Sequence, residues 1–122
     1  MKADNINVLA LAYLGDSVYD LYIREYLISK NIVNVNELQS ESIKYVSAKS
    51  QSYYLDKISE FLTEKELDIV KRGRNHKSHK APKNTDISTY KNATGLETLI
   101  GYLYLEDKVR LDEIMKLIER DD

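Results

Sequence analysis

Val8-Leu9-Ala10-Leu11-Ala12-Tyr13-Leu14-Gly15-Asp16-Ser17-Val18-Tyr19 carries a single charged residue, Asp16. Its opening run, Val8–Leu14, is the longest uninterrupted apolar stretch in the chain. That is far short of the roughly 20 residues a membrane span requires. The run imitates a signal-peptide core, but Asp4 precedes it, Gly15-Asp16 follows it, and Lys2 is the only basic residue ahead of it, which is the wrong setting for one. The stretch therefore belongs to the fold. Drawn as a helix, it has apolar side chains all round rather than on one stripe, which predicts burial at the centre of a domain. Asn92–Leu105 has the same texture, with Glu97 as its only charge. The two helices are predicted to pack on each other, with Gly15 and Gly95 beside the acids to permit close backbone approach.

The remaining sequence also reads as helix. The first helix is expected over about 5–27, capped by Asn5 or Asn7. A second starts at Asn34 or Asn36 and runs to about Tyr45. Ser47 caps a third, in which Tyr54, Leu55, Ile58, Phe61 and Leu62 recur at helical spacing. Thr63 and Glu66 match a capping box, opening a short fourth helix that stops near Gly73. A fifth covers about 88–105 and a sixth about 111–120. Only 1 Pro and 4 Gly occur in 122 residues, which favours long helices over turn-rich sheet. The expected fold class is all-α, one domain over 1–122. With 43% hydrophobic and 31% charged residues, the composition is globular and excludes extended disorder. The absence of cysteine excludes disulfides, a thiolate nucleophile and Cys-based metal sites, and is compatible with a cytoplasmic protein.

An ionised carboxylate inside an apolar helix is costly unless it is paired, hydrogen-bonded or bound to a metal. For one such acid, a hydrogen bond to a cap or a tyrosine is the plainer account. Two isolated acids, in the two most apolar helices, point to a shared divalent-cation site. Oxygen-only ligation suits Mg2+, with Mn2+ as a substitute. Asp20 lies one turn after Asp16 on the same face and is a candidate to stand behind it, or a solvated residue past the buried stretch.

The net charge of −2 argues against a nucleic-acid partner until it is divided. From Lys71 to Lys91 there are seven positive side chains and one negative, a net of +6. The rest holds 11 positive and 19 negative, a net of −8. Residues 74–87 lose all apolar periodicity around Pro82 and read as a loop. Taken alone, a charge run is a solvated surface loop. Directly ahead of the helix bearing Glu97, Arg72, Arg74, Asn75, His76, Lys77, Ser78, Lys80 and Lys83 become candidates to grip a phosphate backbone. No P-loop, G-x-G-x-x-G or G-x-S-x-G motif occurs.

Leu11-Ala12-Tyr13-Leu14-Gly15-Asp16-Ser17-Val18 resembles the signature helix of ribonuclease III catalytic domains, and Leu96-Glu97-Thr98-Leu99-Ile100-Gly101-Tyr102-Leu103 their second motif. The likeness is closer to Mini-ribonuclease III, the short form without a double-stranded-RNA-binding domain. It extends through Val46-Ser47-Ala48-Lys49-Ser50-Gln51, Lys71-Arg72-Gly73-Arg74-Asn75 and Ala93-Thr94-Gly95. The resemblance implies an all-helical, homodimeric catalytic domain with a basic RNA-contacting loop at about 72–87. It implies Mg2+-dependent cleavage of double-stranded RNA to 5′-phosphates, and maturation of the large-subunit (23S) ribosomal RNA precursor, with a large-subunit ribosomal protein as an assisting partner. Asp16 and Glu97 match the two metal-linked catalytic acids. Ala12 and Thr94 stand where full-length ribonuclease III carries further acids, a reduction that mini-forms share, and Thr94 is left as a candidate supporting position. Two other readings compete with a nuclease: a non-catalytic RNA-binding or ribosome-associated module on the same fold, and a small metal-dependent nucleotide hydrolase.

Overall fold

Four of the expected helix caps occur in the structure, a computed structural model that describes residues 2–76 and 86–120. The Asn7 side chain accepts from the Leu9 amide at 2.8 Å and opens α1, Val8–Ser29. Asn34 accepts from Glu37 N at 3.1 Å and opens α2, Val35–Val46. Ser47 accepts from Ser50 N at 3.2 Å and opens α3, Ala48–Ile58. Thr63 and Glu66 complete the capping box of α4, Glu64–Arg74. Each side-chain oxygen satisfies a backbone donor that the first helical turn leaves unpaired. Asp86 and Asp107 cap α5, Ile87–Glu106, and α6, Lys108–Glu119, in the same way. No strand occurs among the described residues, so the fold is all-α as expected.

Boundaries shift by a few residues. A 3-10 turn, Ala3–Asn5, occupies the predicted start of the first helix, and α6 begins three residues early because Asp107 caps it. Gly73 is not a helix stop. It lies inside α4 without a positive φ, and the helix ends at Arg74 with Asn75 as its cap. Gly73 serves packing instead, since a Cβ there would lie 2.4 Å from the Thr98 hydroxyl and 3.2 Å from Gly95 Cα.

Helix α5 is the buried axis of the fold. Leu96, Leu99 and Ile100 are fully buried, and α1, α3 and α4 all pack on it. Helix α1 departs from the expectation of all-round burial. Ile23 and Leu27 are buried, but Tyr13 is 83% exposed, Leu21 54% and Ile28 61%. Their positions fall within an arc of ~80° at 3.6 residues per turn, shared with exposed Ser17 and Arg24, so one side of α1 turns apolar side chains outward. Glu66 is buried beneath Arg110, whose Nε and Nη2 donate to the two carboxylate oxygens at 2.8 and 2.9 Å. Arg110 Nη2 also donates to the Phe61 carbonyl at 2.7 Å. This pair ties the start of α6 to the start of α4.

The α1–α5 crossing is closer than side chains allow. A Cβ on Gly15 would sit 1.8 Å from the Glu97 carbonyl oxygen, and one on Gly101 would sit 2.0 Å from the Leu11 carbonyl oxygen. Glycine at both positions lets the two backbones touch. Gly95, expected to share this crossing, instead faces Val70 and Arg74 of α4.

Candidate active site

The glycine crossing brings the two acids together. Asp16 follows Gly15 on α1, and the Glu97 carbonyl is the atom that Gly15 nearly touches. The Glu97 carboxyl hydrogen-bonds to the Asp16 carboxyl. Partial burial is the largest cause pushing the Glu97 carboxyl up to about 8, and the negative charge of Asp16 adds to it. The expectation of two buried acids is corrected here: Asp16 is exposed and Glu97 is half-buried. The pair therefore forms a negatively charged notch open to solvent, on a wall made of the buried helix α5.

Asp20 stands one turn further along α1 and is half-buried. Burial and the charge of Asp16 raise its carboxyl, while Arg24 opposes them. Thr94 is buried and its hydroxyl donates to the Tyr90 carbonyl at 3.1 Å, so its proton is committed to its own helix. Ala12 is buried as well. Both places where the full-length family carries further acids are thus closed to solvent in this chain. Among the described residues, no three His, Cys, Asp or Glu side chains gather closely enough to hold a metal ion. The acid set is the Asp16–Glu97 pair, with Asp20 behind it. The all-oxygen donor set fits a divalent cation whose remaining coordination would come from water and phosphate oxygens.

One residue of the site had no role in the reading of the sequence. Gln51 of α3 is only 2% exposed, and its side chain hydrogen-bonds to the Glu97 carboxyl. A signal was present. Gln51, Tyr54, Leu55 and Ile58 share the buried face of α3, and an amide at the head of that stripe needs a buried partner.

The basic end of α4 lies on the other side of α5. Arg72 is exposed, 3.9 Å from Asp68. Arg74 is half-buried with its Nε unpartnered, lining a hollow with Lys71 and Asn92. Asn75 is exposed and His76 half-buried. Lys77, Ser78, Lys80 and Lys83 lie outside the described residues.

A family model described as Ribonuclease III domain matches residues 9–108, which takes in both acids and the basic helix end. The chain belongs to the ribonuclease III family. It is 52% identical over 116 residues to the Mini-ribonuclease 3 of Clostridium tetani, covering 93% of this chain and 76% of that protein. It is 47% identical to the Mini-ribonuclease 3 of Staphylococcus aureus, covering 93% and 87%. A crystal structure of a Fusobacterium nucleatum protein superimposes with a TM-score of 0.82 at 33% identity, covering 93% and 92%. As a member of the Mini-ribonuclease III group of the ribonuclease III family, the protein is an endoribonuclease and its partner is RNA. That family is generally dependent on divalent metal ions. Catalysis sets it apart from a non-catalytic module, and action on RNA sets it apart from a nucleotide hydrolase. Among the described residues, no helix is long and apolar enough to cross a membrane.

Proposed function

We propose that the protein is a Mg2+-dependent endoribonuclease that cuts double-stranded RNA and matures the large-subunit (23S) ribosomal RNA precursor in the cytoplasm. The observation that carries this is the meeting of Asp16 and Glu97 in a solvent-open notch at the α1–α5 crossing. These two acids are the catalytic and metal-holding residues. When bound, Mg2+ would supply Lewis acidity and neutralise charge on the oxygens of the scissile phosphate, and Mn2+ suits the same oxygen set. The exposed Asp16 meets the solvent side, while the half-buried Glu97 sets the depth of the notch. Asp20 and Thr94 lie behind the acids.

Residues 1–122 act as one catalytic domain. The segment at about 72–87, with Arg72, Arg74, Asn75, His76, Lys77, Ser78, Lys80 and Lys83, holds the duplex through its phosphates. The outward apolar side of α1, with Tyr13, Leu21 and Ile28, supports a homodimer in which the same patch meets its own copy. Each subunit then cuts one strand, leaving 5′-phosphate ends, and a large-subunit ribosomal protein on the precursor assists.

Asp16→Asn tests the site. Cleavage of labelled duplex RNA in Mg2+ should be lost, while duplex binding and thermal stability stay close to the parent. Continued cutting by this variant would remove Asp16 from the site.

A further inference from the structure

The Glu97 side chain has a geometric problem that its helix does not solve. It projects from the middle of α5 toward two other carboxylates, Asp16 and Asp20, both of which repel it when ionised. A glutamate side chain has three rotatable bonds, and its terminal torsion is broad. Left alone, the ionised carboxylate would relieve the repulsion by turning out to water. An acid that holds a cation must stay within about 0.5 Å of its working position.

Helix α3 supplies the restraint. Gln51 is buried to 2% exposure at the α3–α5 contact and its amide hydrogen-bonds to the Glu97 carboxyl. We propose that Gln51 is a positioning residue for catalysis, holding the Glu97 carboxyl turned toward Asp16 through a buried amide hydrogen bond. A buried amide without a partner is destabilising by roughly 1–3 kcal/mol, so Gln51 is kept in place by the same bond it provides. Neutral chemistry is what the position requires. A lysine or arginine would compete with a divalent cation for the two acids, and a glutamate would add a further like charge. A leucine would fill the space and leave Glu97 unheld. The amide N–H donates to the carboxyl and adds no net charge to the notch.

This inference rests on the reading of Asp16 and Glu97 as the divalent-cation site, and its test separates the two. Gln51→Leu keeps the volume and removes the donor; Gln51→Met does the same with an unbranched chain. Mn2+ alone is titrated into the parent, both Gln51 variants and Asp16→Asn, and steady-state cleavage of duplex RNA follows for each. The expected result is a loss of ~10–100-fold in Mn2+ affinity and a similar fall in kcat for the Gln51 variants, as outer-shell partners of metal ligands typically show. KM for the duplex should stay unchanged. Mn2+ affinity and kcat that both remain within about twofold of the parent would overturn the positioning role. A parent that binds no Mn2+, or an Asp16→Asn variant that binds it as well as the parent, would instead overturn the two-acid reading.

The metal-free protein gives an independent measurement, and it decides the matter if both Gln51 variants fail to fold. The side-chain NH2 signals of Gln51 should exchange slowly with solvent and shift in Glu97→Ala, whereas those of the exposed Gln39 should do neither. Gln51 signals that exchange as fast as those of Gln39 and ignore Glu97→Ala would refute the hydrogen bond itself.

Discussion

Gly15→Ala should destabilise the protein and slow it, although a helix-propensity argument gives the opposite sign. Gly15 lies in the interior of a 22-residue helix, where alanine is favoured over glycine by roughly 1 kcal/mol. Against that gain stands the α1–α5 crossing. The added Cβ would lie 1.8 Å from the Glu97 carbonyl oxygen, 2.7 Å from its carbon and 2.9 Å from the Gly101 amide nitrogen. All three are backbone atoms of a buried helix, so no side chain can rotate away. Close carbon–oxygen contacts are ~3.3 Å, so the helices must part by about 1.5 Å. Forcing extra volume into a packed core typically costs ~1–3 kcal/mol and occasionally more, and this overlap is backbone against backbone. The net expected loss is about 2 kcal/mol, or a fall in Tm of roughly 6–12 °C for a chain of this size. The same displacement draws Asp16 away from Glu97. A misplacement of ~1 Å at reacting groups costs on the order of 100-fold in rate. Thermal unfolding followed by circular dichroism gives the first number, and single-turnover duplex cleavage well below Tm gives the second. A variant as stable as the parent, or more so, would show that the crossing is not in contact, and the account of how the acids meet would fail with it.

Other outcomes follow from particular side chains. Glu66→Ala removes both the capping box and the two-pronged partner of Arg110, leaving its guanidinium only Glu113 and the Phe61 carbonyl, and should cost about 2 kcal/mol in chemical denaturation. The hydrogen bond from Arg110 holds the Glu66 carboxyl below the usual range. A lowered folded-state pKa contributes stability above the unfolded value near 4.5, which is lost as the pH falls through the lower folded value. Glu66→Gln should therefore flatten the decline of Tm below pH 4.5, and an unchanged acid limb would count against the pair. Tyr13→Asp should shift the protein from dimer toward monomer in sedimentation at micromolar concentration; a purely monomeric parent would end the dimer proposal. Lys77, Lys80 and Lys83 changed together to Ala should weaken duplex binding and reduce the salt slope by up to ~3, at ~0.9 for each phosphate no longer neutralised. Equal slopes would mean these lysines do not touch phosphate.

The helices are legible in the sequence because their signals are local. Asn7, Asn34, Ser47 and the Thr63–Glu66 box each act within three residues, so their meaning survives without a fold. The juxtaposition of Asp16 and Glu97 is legible for a related reason, since only two helices are apolar enough to need each other. Burial is less legible. An outward apolar side such as Tyr13, Leu21 and Ile28 looks like core when a helix is apolar all round, because periodicity cannot separate a face covered by the same chain from one left exposed. That is why Asp16 is expected inside and lies outside. The glycine partner is illegible for a geometric reason. Gly95 and Gly101 sit six residues apart on α5, on different sides of the helix, and only packing decides which one meets Gly15. The burial of Gln51 leaves a trace in the pattern of α3, but its partner on α5 does not.

The two glycine contacts give α5 a role that neither motif has alone. At 3.6 residues per turn, Gly95 and Gly101 are ~120° apart around the axis, while Glu97 lies only ~40° from Gly101. The Gly101 side takes α1 and with it Asp16. The Gly95 side takes α4, where a Cβ would meet Arg74 Cγ at 2.8 Å and the Val70 carbonyl at 2.9 Å. The aliphatic stem of Arg74 therefore lies against α5 two residues before Glu97, and its guanidinium is carried at the start of the basic segment. One helix thus spans from the acid pair to the cationic edge, with backbone against backbone on the Gly101 side and the Val70 carbonyl and Arg74 stem on the Gly95 side. A chain whose net charge of −2 conceals a +6 segment and a −8 remainder needs such a spacer. On the proposed function, a phosphate backbone drawn to the basic edge is presented to Asp16 and Glu97 across the width of α5.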